Sequence, residues 1–301
     1  MSEGIGSGPA RALLDPAALG FRGNEEIGWL RSTRGRQAHF RLLRTLADLT
    51  HAERLQEEVF GVSERDLIPA NELIVVPETG GAVLAVYLPE DPDRAVGDLV
   101  GWGGFVGRPR VVSDFLAIRS EVRNLGLASE LKRLQAAIAV SRGFAEIVWT
   151  VDPLRAANAR LNFGKLGATA HRYEIDRYGA TFATTLYGGL PTDRLHITWD
   201  ILSPRVISRL HGQEEPQHPA EIRHPAPFMP GMSDDTALVA IPADIDALLA
   251  ISPQEALTWR LRLRETLCQA FSAGFAVTGF RPALGATDPA YFLARRSALN
   301  D

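Results

Sequence analysis

The chain has 301 residues, enough at roughly 150 residues per domain for about two domains. A composition of 46% hydrophobic and 23% charged residues supports a buried core and excludes whole-chain disorder, while a net charge of -4 gives no global positive field for a polyanion, so nucleic acid is not an expected partner. The single cysteine, Cys268, excludes an intrachain disulfide or a multi-cysteine metal site, and runs such as Leu73–Val76 and Ala136–Val140 fall far below the ~18 apolar residues of a membrane span. With a Gly/Ser-rich start (Met1–Ala10) lacking a signal-like apolar stretch, a cytoplasmic location is expected and no membrane partner.

Residues 1–36 mix Gly, Arg and Pro with poor periodicity and read as a flexible arm, with a short helix near Asp15–Leu19. Phe40–Leu46 predicts a strand. Thr50-His51-Ala52-Glu53 follows as a capping box, from which a helix runs to Phe60 and stops at Gly61. Leu73–Val76 suits helix or buried strand equally. Past the Gly80-Gly81 turn, strands are predicted at Ala82–Leu88, Leu99–Val106 and Val111–Val122.

Gly126–Arg142 carries Leu127, Leu131, Leu134 and Ile138 on one helical stripe, ended by Gly143. A strand at Glu146–Val151, a helix at Ala156–Leu166 stopped by Gly167, and strands near His171–Tyr178 and Arg194–Ile201 complete a mixed α/β layer. Pro204–Pro230 is proline-rich and reads as a linker. Beyond it come a strand at Thr236–Ile241 and a helix opened by Ser252-Pro253-Gln254-Glu255, with Ala256, Trp259, Leu263, Leu267 and Phe271 on one face. Strands at Phe275–Phe280 and Tyr291–Ala294 close the chain. The expected division is an arm over 1–36, an α/β domain over 37–202, a linker over 203–235 and a small α/β extension over 236–301. That extension, roughly 65 residues, is expected to dock on the first domain because it buries too little to stand alone.

Chemistry concentrates in Ala117-Ile118-Arg119-Ser120-Glu121-Val122-Arg123-Asn124-Leu125-Gly126-Leu127-Ala128. A strand runs into a short turn, and Gly126 and Ala128 open a helix. Such a turn aims consecutive N–H groups at one point, at the positive end of the helix dipole, and suits a pyrophosphate. Small residues at 126 and 128 let phosphate oxygens approach, and Arg119, Arg123 and Lys132 add positive charge. The alternative is a corner that uses Gly only for its backbone angles. Neither a P-loop nor a dinucleotide-binding glycine motif occurs.

The segment resembles the acyl-CoA pyrophosphate motif (Q/R)-x-x-G-x-(G/A) of the GNAT (Gcn5-related N-acetyltransferase) superfamily, with Arg123, Gly126 and Ala128 at its defined positions. Ala156–Ala168 is similar to the later N-x-x-A-x-x-x-Y-x-K-x-G-F pattern of that superfamily: Ala159, Lys165 and Gly167 align. Ala156 stands where asparagine is usual, Phe163 where many members carry a tyrosine that protonates the leaving thiolate, and Ala168 replaces the terminal Phe. The resemblance covers about residues 38–201, and the whole chain looks like a subgroup of approximately 300-residue members with a C-terminal extension.

The resemblance implies an α/β (mixed α+β) fold with a central mixed sheet of splayed strands flanked by helices. It also implies acetyl-CoA or another acyl-CoA as co-substrate. The implied activity is direct transfer of an acetyl or succinyl group to the amine of a small molecule or amino acid, with a catalytically decayed CoA-binding module as the alternative. Ala117, Ile118 and Arg119 would bond the pantetheine arm. Arg123, Asn124, Leu125, Gly126, Leu127, Ala128 and Ser129 would hold the pyrophosphate, and Asn158 and Asn162 would add polar contacts.

An amine that attacks must lose a proton, which makes Asp114 and Asp152 the candidate bases; Tyr173 is the candidate acid, with Tyr178 a second phenol nearby. His211, His218 and His224 match no metal-ligand spacing, so no metal is expected. Arg260, Arg262 and Arg264 read as solvated or ion-paired. For the chain itself, a homodimer is left as an option.

Overall fold

The computed structural model describes residues 8–61, 63, 66–179, 187–213, 222–223, 235–285 and 287–299. Their contacts divide into two units, residues 1–149 with 200–211 and residues 150–199 with 212–301.

In the first unit, in chain order, lie helix α1 (Pro9–Ala12), strands β1 (Arg22–Asn24), β2 (Gly28–Thr33) and β3 (Arg36–Leu42), and helices α2 (Leu46–Phe60) and α3 (Ala70–Leu73). Strands β4 (Ala82–Leu88), β5 (Asp91–Val106) and β6 (Arg108–Ile118) follow, then helix α4 (Leu127–Ser141) and strand β7 (Glu146–Val151). The division between units falls within β7, after Trp149. The sheet runs β1-β2-β3-β4-β5-β6-β7; every neighbouring pair is antiparallel except β6 and β7, which are parallel.

Helices cover both faces of this sheet, and β4 is accordingly buried at every residue. On one face Leu49 and Ala52 of α2 and Leu73 of α3 pack with Val83, Ala85 and Val100. On the other, a Cβ at Gly101 would fall 2.5 Å from Nε2 of Gln135 in α4. Consecutive strand residues point to opposite faces, so α2 and α4 lie on opposite sides.

The arm expected over 1–36 carries a helix and two strands, with Leu14, Leu19, Phe21 and Trp29 buried. The capping box sits one turn earlier than its predicted position. Thr45 is the N-cap, its hydroxyl accepting from the Asp48 N–H, whereas Thr50 lies inside α2 and donates to the Leu46 carbonyl. The ambiguous Leu73–Val76 stretch is helical, and β6 ends at Ile118 rather than Val122.

In the second unit, helix α5 (Ala156–Ala159) runs into a π turn over Arg160–Lys165. Strands β8 (Thr169–Glu174), β9 (Arg194–Asp200), β10 (Ile222–Arg223) and β11 (Thr236–Ala240) follow, then helices α6 (Ile245–Ile251) and α7 (Pro253–Ser272) and strands β12 (Phe275–Arg281) and β13 (Ala290–Arg295). The strand order is β9-β8-β12-β13-β11-β10. Because β12 pairs with β8, the stretch expected as a separate extension shares a unit with residues 150–199. Within the expected linker a helix forms at Pro204–Leu210, capped by Ser203.

Replacing Thr45 by Ala is expected to cost about 1 kcal/mol, the usual value of an N-cap side chain, whereas Thr50→Ala, inside the helix, is expected to be neutral or stabilising by a few tenths. Urea unfolding of the two variants checks the placement; a larger loss for Thr50→Ala would contradict it.

Candidate functional site

Between β5 and β6 the register slips. Leu99 faces Leu116 but Gly101 faces Ser113, so Asp114 and Phe115 together oppose Val100. Two residues against one is a β-bulge, which bends the strand that carries it. On its other side β6 meets β7 at only two register pairs, Val111 with Ile147 and Val112 with Val148. Among the described residues, Ser113–Ile118 is then paired with β5 alone. The two parallel strands form a fork that opens at Ser113 and Trp149.

The open edge presents backbone donors. Arg119 N–H bonds Val96 O at 2.9 Å, across to β5. Alternation along a strand then turns the N–H and C=O of Ile118 the other way, into the fork. The Ile118 carbonyl is met there by Nε of Arg123 at 3.3 Å. Of Ala117, Ile118 and Arg119, it is therefore Ile118 that offers its amide to the fork. The Arg119 side chain belongs to the α2 face, bonded to Ala95 O at 2.9 Å and paired with Glu58.

Past Ile118 a 3-10 turn over Ser120–Leu125 leads to Gly126, whose φ of 79° is left-handed and suits glycine. No side chain caps α4. Ser129 and Glu130 N–H groups reach back to Gly126 O, leaving the first donors, Leu127 and Ala128, without intrahelical acceptors. The β2–β3 turn braces this corner: Thr33 Oγ1 donates to Leu125 O at 2.8 Å and Arg34 to Asn124 O. Arg123 and Asn124 are exposed, and Gly126, Ala128 and Ser129 are half-buried.

Lys132, read from sequence as charge for this loop, instead lies 3% exposed at the closed end of the fork. Its Nζ donates to Ser113 Oγ at 2.8 Å and Gln135 Oε1 at 3.2 Å and sits 3.8 Å from the centre of the Trp149 ring. Burial alone pushes its pKa down to about 7. Asp98, fully buried opposite Ala117, shows the reverse effect: burial pushes its carboxyl well up, with Arg119 pulling the other way. Neither was expected to be buried.

Asp114 occupies the bulge, exposed, and accepts from Trp102 Nε1 at 3.0 Å. A cleft of about 250 Å³ on the α2 face is lined by His51, Glu58, Arg94 and Arg119. Arg119 stands roughly 16 Å along the strand from Asp114 at ~3.3 Å per residue, so this cleft is not where chemistry at Asp114 would occur.

Asp152, Tyr173, Asn158 and Asn162 belong to the second unit. The structure engages Asp152 and Tyr173 in two hydrogen-bonded clusters, each built on an arginine of α7. Arg260, fully buried on α7, donates to Asp152 Oδ2 at 2.8 Å, and Leu154 N–H caps Oδ1 at 2.9 Å. Burial raises the Asp152 pKa, but the Arg260 charge and these hydrogen bonds outweigh it and leave the carboxyl below its usual range, a weakened base.

Tyr173 Oη donates to Asp193 Oδ2 at 2.7 Å, and Arg264 holds both Asp193 oxygens at 2.8 and 2.9 Å. Burial and the Asp193 charge push the phenol far up, so its proton is committed there. Asn158 is half-buried on α5 and Asn162 buried in the π turn. Phe163 is fully buried against the ring of Tyr291.

His211 bonds Leu13 O at 2.9 Å; His218 and His224 lie outside the described residues. Among the described residues no group of three potential metal ligands occurs, and no helix is long and apolar enough to cross a membrane.

No protein-family model matches the chain, and no curated protein does. Solved structures do resemble it. An acetyltransferase of the GNAT family from Streptococcus pneumoniae is 16% identical, with 54% of this chain and 97% of that chain covered at a TM-score of 0.43. YncA from Salmonella typhimurium, solved with its cofactor acetyl-CoA, is 16% identical over 55% of this chain and 94% of that chain, with a TM-score of 0.45. The ribosomal-protein-S18-alanine N-acetyltransferase from Escherichia coli is 14% identical over 55% and 94%, with a TM-score of 0.43. A mixed α+β architecture, a mostly antiparallel sheet flanked by helices, is what the chain was expected to form and what it forms.

Replacing Arg260 by Met strands a buried carboxylate and is expected to cost about 3–5 kcal/mol in urea unfolding, while Asp152→Asn with Arg260→Met together costs much less. The Asp152 carboxyl is depressed in the folded state, so its contribution is complete above about pH 4, the unfolded value, and is lost as pH falls through the folded value. A single Arg260→Met loss under about 1 kcal/mol would contradict the pair's role.

Proposed function

We propose that the chain is an acyl-CoA-dependent N-acyltransferase that passes an acetyl or succinyl group directly to the amine of a small molecule or amino acid. The observation that carries this reading is the fork between β6 and β7, whose unpaired edge leads from Ile118 to the uncapped start of α4 at Gly126. Both ends suit the thioester substrate. The Leu127 and Ala128 amides and the dipole of α4 favour a diphosphate. The open edge of β6 supplies main-chain partners to an amide-containing arm, as an added strand would. The superfamily resemblance of Arg123, Gly126 and Ala128 agrees with that assignment.

From Ile118 back to Ser113 is roughly 16 Å of strand, which brings the far end of such an arm to the bulge. Asp114 is there, exposed and with ordinary access to solvent, and is the base we assign. The amine nitrogen attacks the thioester carbonyl, Asp114 takes its proton, and the C–S bond breaks to release the thiol. Asp152 and Tyr173, spoken for by Arg260 and Asp193, hold the second unit together in this reading.

Titration calorimetry with CoA, and thiol release from acetyl- and succinyl-CoA over a panel of amines, test the proposal. CoA binding with amine-dependent thiol release is expected. Gly126→Val, which places a branched side chain at φ 79°, is expected to abolish CoA binding. Asp114→Asn is expected to lower kcat by about 10²–10⁴ while leaving CoA affinity unchanged. CoA affinity without turnover on any amine would mark a binding module instead.

A further inference from the structure

Lys132 has an environment unlike that of any other cation in the first unit. It is buried, yet among the described residues no carboxylate pairs with it. On its own helix Glu130 is engaged by Arg31 at 3.1 Å and by Arg133 at 3.2 Å. On β7 Glu146 is paired with Arg108 and Arg110, on β6 Asp114 accepts from Trp102, and on β5 Asp98 lies on the α2 face. The Lys132 partners are neutral: Ser113, Gln135 and the face of Trp149.

Its location is a built one. Ser113 and Trp149 are the residues immediately past the last register pair, Val112 with Val148, on the two prongs of the fork. The amine bridges them. Gln135 closes the ring by donating from Nε2 to Ser113 Oγ at 3.2 Å, and Gly101 makes room for that amide, since a Cβ there would lie 2.5 Å from it. Four elements contribute to placing one nitrogen at the closed end of the fork. A bare buried ammonium is costly, and an aliphatic side chain would fill the same space more cheaply.

We infer that Lys132 is the general acid that gives a proton to the departing CoA thiolate. This rests on the acyltransferase reading above. As the C–S bond breaks, its electron pair stays on sulfur, and the Lys132 ammonium transfers a proton to form the thiol, becoming a neutral amine that still donates to Gln135 Oε1 and accepts from the Ser113 hydroxyl. The amide C–N bond has formed, and the proton lost by the acceptor amine rests on Asp114. Exchange with solvent returns one proton to Lys132 and removes one from Asp114, so the cycle balances. A group with a pKa near 7 is matched to this task at neutral pH.

Because the acid form is needed, kcat is expected to fall as pH rises through about 7. Lys132→Met is expected to bind CoA as the wild type does, to lose kcat about 10²-fold or more, and to lack that alkaline limb. Loss of a purely structural lysine would leave the limb in place. Two further readouts need no turnover. NMR of protein labelled at lysine Cε should show Lys132 titrating near pH 7. The wild type should also gain stability relative to Lys132→Met between about pH 7 and 10, because the unfolded chain binds the extra proton there.

If CoA does not bind the wild type, both the acyltransferase reading and this assignment fall. If CoA binds and thiol is released, but the variant keeps its rate and its limb, or Lys132 stays charged above pH 9, the assignment alone is overturned.

Discussion

The bulge at Asp114 and Phe115 is the constraint on which the first unit's site depends. A parallel pair in register along its length would satisfy every β6 donor and leave nothing for a ligand. One extra residue on β6 rotates the strand out of that pairing after Val112, and three consequences follow together. The Ile118 amide loses its strand neighbour. The chain leaves β6 at an angle that a left-handed Gly126 can turn into α4. Past the last register pair the Ser113 and Trp149 side chains are bridged by the Lys132 amine. Gly101, opposite Ser113, completes the arrangement by having no side chain to collide with Gln135.

Most buried charges of both units are ion-paired, and Lys132 departs from that pattern. In the second unit Arg260 meets Asp152, and Arg264 meets Asp193, each cation matched to an anion within 2.8 Å. Such pairs are strongly destabilised when one partner is removed, and they hold pKa values away from neutrality. In the first unit Lys132 is buried among neutral groups, which draws its titration toward neutral pH. Groups meant to change protonation must not be locked by a counter-charge. By that criterion the proposed function assigns Asp152 and Tyr173 to the framework rather than to the proton transfers.

What was legible in the sequence follows from how local its cause is. The stripe Leu127, Leu131, Leu134 and Ile138 reports α4 directly, and Ser252 with Pro253 and Glu255 reports the start of α7, because caps and periodicity are short-range. The start of α2 was misplaced because Thr45-x-x-Asp48 and Thr50-x-x-Glu53 offer the same chemistry five residues apart; burial of Leu49, Ala52 and Leu55 decides between them. Trp29 and Phe21 sit among glycines and arginines with no period, so their burial depends on β3 and α4, which the local sequence does not encode. Arg260 was in principle readable, lying on the stripe of Ala256, Leu263 and Leu267, where a cation demands a buried anion. Lys132 was not. A helix buried on both flanks, as α4 is from Leu127 to Val140, has no polar side against which an exceptional charge stands out.

The phenols decide where a proton for the leaving thiolate would have to come from. Phe163 occupies the place where the resemblance leads one to expect a hydroxyl, and it is sealed edge-on against Tyr291. Tyr291 in turn donates to Pro153 O at 2.7 Å, and burial pushes its pKa far up. Tyr173 donates to Asp193, and Arg194 donates to the Tyr187 oxygen at 2.6 Å. Tyr173 and Tyr291 each donate their proton to a fixed oxygen, so either would surrender it only by breaking that hydrogen bond. A thiolate with a pKa near 8.5 needs only a modest acid at neutral pH, and an ammonium weakened by burial supplies that strength without a phenol. In the proposed reaction Phe163 offers no proton, and the buried Lys132 on the helix before β7 stands in for a phenol on the helix after it.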